Sequence, residues 1–288
     1  MNKLRLFALL VCTLLAATAL SGILWQQESS VKTAVALDSR QIELFGQGAY
    51  TNHSLIRAAS YIGADWAMLI IVIPLLLLSS AYLIKDPRAL FLCSGGFMIA
   101  FYYSISQAFG AAFNPFFLLY TVLFSVTGYS FGYSLFLLAK STWKRNSTLQ
   151  RKNRATAIFL LLAGASALIW LSMIIPAMIT MDYSEFIDIN TTEPTFAMDI
   201  GVIFPLFTIC AIALLRESEF GYRMTPVLLT FYSLVGILVV SQTIVQHLYG
   251  VQIPLPQMIS LVASFIILGA AALVINIKYL RRNFPTSI

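Results

Sequence analysis

Eight stretches of this 288-residue chain stay apolar for about the 20 residues a helix needs to cross a bilayer, and no charge interrupts the middle of any of them. Few folds accommodate such segments. In lipid, every backbone N–H and C=O must be paired within the protein, so a spanning segment is a helix or part of a closed barrel. Barrel strands would alternate over about ten residues, whereas these runs are continuous. Composition agrees, with 59% hydrophobic and 10% charged residues, against about 25% charged in soluble domains. The expected fold is all-α: a polytopic transmembrane helical bundle forming a single domain over residues 1–288.

The expected spans are Leu4–Trp25, Trp66–Leu83, Ala89–Phe109, Phe116–Leu138, Ala155–Thr180, Phe196–Leu215, Pro226–His247 and Met258–Ile277. The first carries a signal-like Ala17-Thr18-Ala19. Its apolar run is longer than a usual signal core, which favours a retained helix. Gln26–Ala64 is the longest polar segment. Within it, Gln41–Phe45 alternates as an extended piece would, and Gly46, Gly48 and Asn52 mark turns. Ser54 has the character of an N-cap for an amphipathic lead-in, running along the membrane surface or straight into the second span. Pro74, Pro176 and Pro205 should kink their helices. Gly128 and Gly132, four residues apart, allow a close helix approach.

Charge sets the orientation. Lys140–Arg154, between the fourth and fifth spans, carries six basic residues and no acid. With eight spans, this loop and both termini share one side. Of the 18 Lys and Arg residues, only Lys32, Arg40 and Arg57 fall on the other side. Of the 12 acids, only Asp86, Glu217 and Glu219 fall on the basic side. The positive-inside rule therefore places both termini in the cytoplasm. It also accounts for the net charge of +6 without nucleic acid as a partner.

The basic loop 140–154 divides the chain into 1–139 and 155–288, four spans each, and the halves share features. Asp65 precedes Pro74 much as Asp199 precedes Pro205. Ile105, Gln107 and Pro115 have the spacing of Ile244, Gln246 and Pro254. Parallel repeats of this kind occur in transporter folds, so an internal duplication is one reading of the chain.

Cys12, Cys93 and Cys210 lie singly within apolar runs and read as small core residues. No metal-ligand spacing, nucleophile motif or phosphate loop is present, so neither a cofactor nor an enzyme activity is expected. An intramembrane enzyme using Asp65 and Asp199 is the one catalytic alternative. More simply, those two carboxylates lie near outer helix N-termini, where the dipole and free N–H groups favour an acid. Functionally, they form a proton- or cation-linked site facing an outer vestibule.

Gly96, Ala100, Tyr103, Gln107, Gly110 and Asn114 follow one another in helical steps of three and four. Gln246 and His247 add polar groups at the outer end of the seventh span, and Gln257, Ser260 and Ser264 on the eighth. Such groups serve either helix association or a polar cavity. The candidate polar site is Asp65, Asp199, Tyr103, Gln107, Asn114, Gln246 and His247. Asn52-His53-Ser54 and Asn190-Thr191-Thr192 fit glycosylation sequons, relevant only in a eukaryotic secretory pathway.

Several stretches resemble a family of uncharacterised prokaryotic polytopic integral membrane proteins. They are Gly48-Ala49-Tyr50, Asp65–Leu78, Phe113–Tyr120, Met198–Pro205 and Gly221-Tyr222, with Phe220 where the resemblance leads one to expect Trp. The resemblance implies an intact multi-pass protein of the cytoplasmic membrane and no particular activity. The expected function is a small-solute transporter or channel-like protein, with the bilayer and a small solute or cation as partners. The alternative is a scaffold or sensor that binds a partner through residues 26–64.

Overall fold

The computed structural model describes all residues except 1, 26, 37–38, 87, 142–149, 183–186, 188, 191, 254, 256–257 and 285–288. Most of the basic loop, Glu185, Asp188, Thr191, Pro254 and Gln257 therefore lie outside the described residues, as does the side chain of Ser260.

Eight helices are long and apolar enough to cross a membrane. They are span 1 (Asn2–Leu24), span 2 (Leu55–Tyr82), span 3 (Arg88–Gly110), span 4 (Phe117–Lys140), span 5 (Asn153–Thr180), span 6 (Pro194–Leu215), span 7 (Glu219–Leu248) and span 8 (Ser264–Asn283). A π-helical segment, Met258–Ala263, leads into span 8. The chain is an all-α, multi-pass membrane protein. "Outer" below denotes the ends away from the Lys140–Arg154 loop.

The boundaries differ from expectation in an instructive way. Span 2 does not start at Trp66. The amphipathic lead-in runs straight into it, so the helix begins at Leu55. Ser54 occupies the N-cap position in an extended conformation, but its hydroxyl makes no capping bond. Span 7 likewise starts at Glu219, before Pro226, with the Ser218 hydroxyl accepting from the Phe220 N–H. Asp65 and Asp199 are consequently interior helix residues rather than helix-end acids, which overturns the dipole reading of both. At span 6 the N-cap is Glu193, whose carboxylate accepts the Thr195 N–H.

Proline is absorbed in two ways. In spans 2 and 6 a π-helical turn stands directly before it: Met68–Val72 ahead of Pro74, and Asp199–Ile203 ahead of Pro205. A wider turn moves the ring clear of the carbonyl four residues back, with which it would clash in a regular helix. In span 7, Pro226 sits within the α-helix and cannot donate to the Tyr222 carbonyl. That oxygen accepts the Tyr279 hydroxyl of span 8 instead, at 3.1 Å.

The bundle is organised around spans 2, 3 and 7. Span 3 is the most enclosed, with almost every residue from Ala89 to Ala100 buried. In the first half, spans 1 and 2, 2 and 3, 3 and 4, and 4 and 1 pack in a closed ring. In the second half, spans 5 and 6, 6 and 7, and 7 and 8 pack, but among the described residues spans 5 and 8 share no substantial contact. Beyond Trp170, only Ala177 of the outer part of span 5 is buried. Spans 7 and 8 cross at Gly236 and Gly269, where a Cβ on Gly269 would lie 2.7 Å from the Gly236 Cα. The Gly128 and Gly132 pair is used at one position only: a Cβ on Gly128 would lie 3.0 Å from the Phe101 ring of span 3, whereas one on Gly132 would meet nothing within 4 Å.

Two arginines cap helix ends on the inner side. Arg5 donates to the carbonyls of Ser80 and Ala81 at the end of span 2, at 3.0 and 2.8 Å. Arg223 donates to Leu138 and Ala139 at the end of span 4, at 2.7 and 2.9 Å. Each satisfies carbonyls that a helix leaves without partners.

At the outer end, Thr33–Val35 and Gln41–Glu43 form a two-stranded antiparallel hairpin, β1 and β2, so the expected extended piece pairs with a second one. Gly46 and Gly48 turn the chain with φ of +74° and +71°. The turn delivers Tyr50 and His53 into the helix bundle, where both are buried.

Candidate functional site

The expected polar site resolves into separate arrangements. Asp65 is fully buried. The Tyr50 hydroxyl donates to its Oδ2 at 2.8 Å, and the Tyr103 hydroxyl donates to its Oδ1 in a short hydrogen bond. Gln107 Nε2 donates to the Tyr50 oxygen at 2.8 Å and lies 3.4 Å from Asp65 Oδ1. Burial, then the adjacent Asp65 carboxylate, raises the Tyr50 hydroxyl well above its ordinary pKa, so it remains a donor. Gly22 of span 1 closes the arrangement: a Cβ there would fall 1.9 Å from Asp65 Oδ2. Asp65 therefore faces no outer vestibule, because a helix backbone lies against it.

Asn114 belongs elsewhere. Its amide donates to the Ala49 carbonyl at 3.1 Å, and its oxygen accepts the Phe116 N–H at 2.9 Å. It lies past the end of span 3 and ties the outer segment to the turn before span 4. The helical face expected from Gly96 to Asn114 holds as far as Gly110, where the helix ends. His247 is exposed and does not line the cavity that holds Asp199 and Gln246, so the structure does not bring it to the expected site.

Asp199 lies in a different setting. It forms part of the wall of a cavity of about 700 Å³ between the two halves of the bundle. Its Oδ1 accepts the Tyr102 hydroxyl at 2.9 Å and its Oδ2 accepts the Trp170 indole N–H at 2.7 Å. Both donors are neutral, and no described Lys or Arg forms an ion pair with it. Trp170 packs on Phe196 at 5.0 Å between ring centroids, and Tyr102 on Phe231 at 5.8 Å. One more polar pair lines the cavity: Ser166 and Tyr232 share a hydrogen bond of 2.6 Å.

The outer part of the cavity is more polar. Arg57 and Glu193 form an ion pair of 2.7 Å that joins span 2 to span 6, with side chains only 13% and 17% exposed. Gln246 donates to Ser60 at 2.6 Å, and Gln242 and Gln252 also line this region. Elsewhere the walls are mostly apolar, as is usual for small-molecule sites. Trp170 and Tyr102 lie ten and eight residues from the outer ends of their helices, about 12–15 Å deep by helical rise.

Of the expected residues, then, Asp199, Tyr103 and Gln246 line the cavity. Asp65 and Gln107 form the closed arrangement behind Tyr103, which is common to both. Consecutive tyrosines on span 3 thus serve the two carboxylates, Tyr102 binding Asp199 and Tyr103 binding Asp65. Sequence reading missed Trp170, Tyr102, Ser166 and Tyr232. Trp170 carried a signal, as a lone indole well inside an apolar run with an N–H that needs a partner. Among the described residues no cluster of three or more His, Cys, Asp and Glu side chains is arranged to hold a metal ion. No family model matches the chain, and no curated protein or solved structure matches it either.

Proposed function

We propose that this protein binds a small solute from the outer side of the cytoplasmic membrane and carries it inward through the cavity between its two halves. The observation that carries the reading is Asp199, a carboxylate with no ion-pair partner among the described residues, set in the wall of a cavity between membrane-spanning helices. Ionisable groups at such depth are costly, and they characteristically mark solute or ion pathways. The charge distribution supports the orientation, and the resemblance to prokaryotic multi-pass proteins supports the choice of membrane. The cavity also lies where carriers built from two halves hold their substrates, at the interface between the halves.

Cysteine accessibility tests the reading. Ser166 lines the deep part of the cavity, and the native Cys12, Cys93 and Cys210 are buried. Ser166→Cys should react with a membrane-impermeant thiol reagent in right-side-out vesicles and, because a carrier alternates, in inverted vesicles as well. Reaction from the outer side alone would make the protein a receptor and not a carrier. Reaction from neither side would remove the cavity from consideration.

A further inference from the structure

The surroundings of Asp199 restrict what the cavity holds. Two requirements meet there. The carboxylate has hydrogen bonds from Tyr102 and Trp170 but no compensating positive charge among the described residues. Aromatic rings from four spans gather around it: Trp170, Phe196, Tyr102 and Phe231, with Tyr232 lining the same cavity. A carboxylate attracts any cation, but a small metal ion demands several oxygen ligands at once, and this wall offers chiefly rings. Aromatic faces attract a cation through their quadrupole and suit one that is large and weakly hydrated. Alkylated ammonium groups have that character.

The rest of the cavity describes the remainder of the ligand. Val262, in the π-helical segment before span 8, and Phe265 of span 8 line it on one side, and Ala167 and Met173 of span 5 on the other. These two spans are the pair that fails to pack together, unlike spans 1 and 4 of the first half. The apolar wall therefore runs along an unclosed seam between two membrane-spanning helices. A chain of methylene groups seated there is desolvated on both sides.

On the carrier reading above, we propose that the ligand is an amphiphilic organic ammonium ion. Its head rests against Asp199 and the Trp170–Phe196 and Tyr102–Phe231 ring pairs. Its apolar body lies along the seam between spans 5 and 8. Asp199 supplies charge selection, the rings exclude compact hydrated cations, and the seam selects for an apolar tail.

Protection of Ser166→Cys from the thiol reagent tests this, with hexyltrimethylammonium, hexanol and hexanesulfonate as probes. Hexyltrimethylammonium should protect at a concentration about tenfold below that of hexanol, the size expected of a desolvated cation–aromatic contact. Hexanesulfonate should protect least. Adding Asp199→Asn, which keeps the side-chain shape, should narrow the gap between the ammonium and alcohol concentrations, the rings keeping the remainder. Should that variant fail to fold, Trp170 provides the comparison: Trp170→Phe keeps a ring and retains the preference, whereas Trp170→Leu reduces it. Equal or better protection by hexanol or hexanesulfonate would overturn the ammonium assignment, as would a preference left unchanged by Asp199→Asn. Neither result touches the carrier reading, which fails if Ser166→Cys is closed to the reagent or reacts from the outer side alone.

Discussion

Acid should loosen the outer segment through His53. Its Nε2 accepts the Ala112 N–H at 2.9 Å, and the ring stacks near Tyr61. Burial, then the nearby Arg57 charge, lowers its pKa from 6.5 to about 4. Above pH 6.5 neither the folded nor the unfolded chain holds the proton, and the folded state has its full stability. Between the two values only the unfolded chain takes it up, so stability falls as pH drops from 6.5 to about 4, by roughly 3 kcal/mol in all. Thermal unfolding across this window should show the decline in the native chain. His53→Gln, which retains an acceptor for Ala112, should flatten it. Tyr50 makes a second test at the same scale. Tyr50→Phe removes the hydroxyl that joins Asp65 to Gln107 and takes a donor from a buried carboxylate, a loss of about 1–3 kcal/mol. A lowered unfolding temperature with unchanged labelling at Ser166→Cys is the expected pattern, because the Asp65 arrangement supports the fold and does not face the cavity.

At the scale of elements, helix existence was legible and helix contacts were not. Apolar length alone marks a span, and all eight runs became helices. The start of span 2 was misplaced because Leu55–Ala64 is amphipathic, a pattern equally compatible with a helix lying on the surface. Gly128 and Gly132 illustrate the second difficulty. A glycine pair shows that a close approach is permitted, and only the partner helix decides whether it is used. Here Gly128 meets the Phe101 ring and Gly132 meets nothing, while the backbone-to-backbone contact falls on Gly236 and Gly269, which lie on different spans and share no local motif. Gly269→Val should push spans 7 and 8 apart and cost about 1–3 kcal/mol or more, since backbone atoms stand where the side chain would go. The measurement is folded yield and unfolding temperature, with Gly132→Val as the neutral control. The site was half legible for the same reason. Asp199 announced itself as an acid in an apolar run, whereas Trp170 and Tyr102 become its partners only when spans 3, 5 and 6 are brought together.

For the whole molecule, orientation is the first thing to measure. Ser147 lies in the basic loop, beyond the described residues. Ser147→Cys in intact cells should resist an impermeant thiol reagent and react after permeabilisation; labelling in intact cells would invert the topology. The two halves share a π turn before a proline in spans 2 and 6, a local response to the ring, but they differ in packing. One half is a closed ring and the other is open at one seam. The pair Tyr102 and Tyr103 bears on how they move together. Neighbouring residues on a helix point about 100° apart, so span 3 is geared to both carboxylates at once. It cannot turn about its axis to release Asp199 without also pulling its hydroxyl away from Asp65. An event at the cavity is thereby felt as torque at the closed Asp65 arrangement, which the backbone of span 1 seals at Gly22.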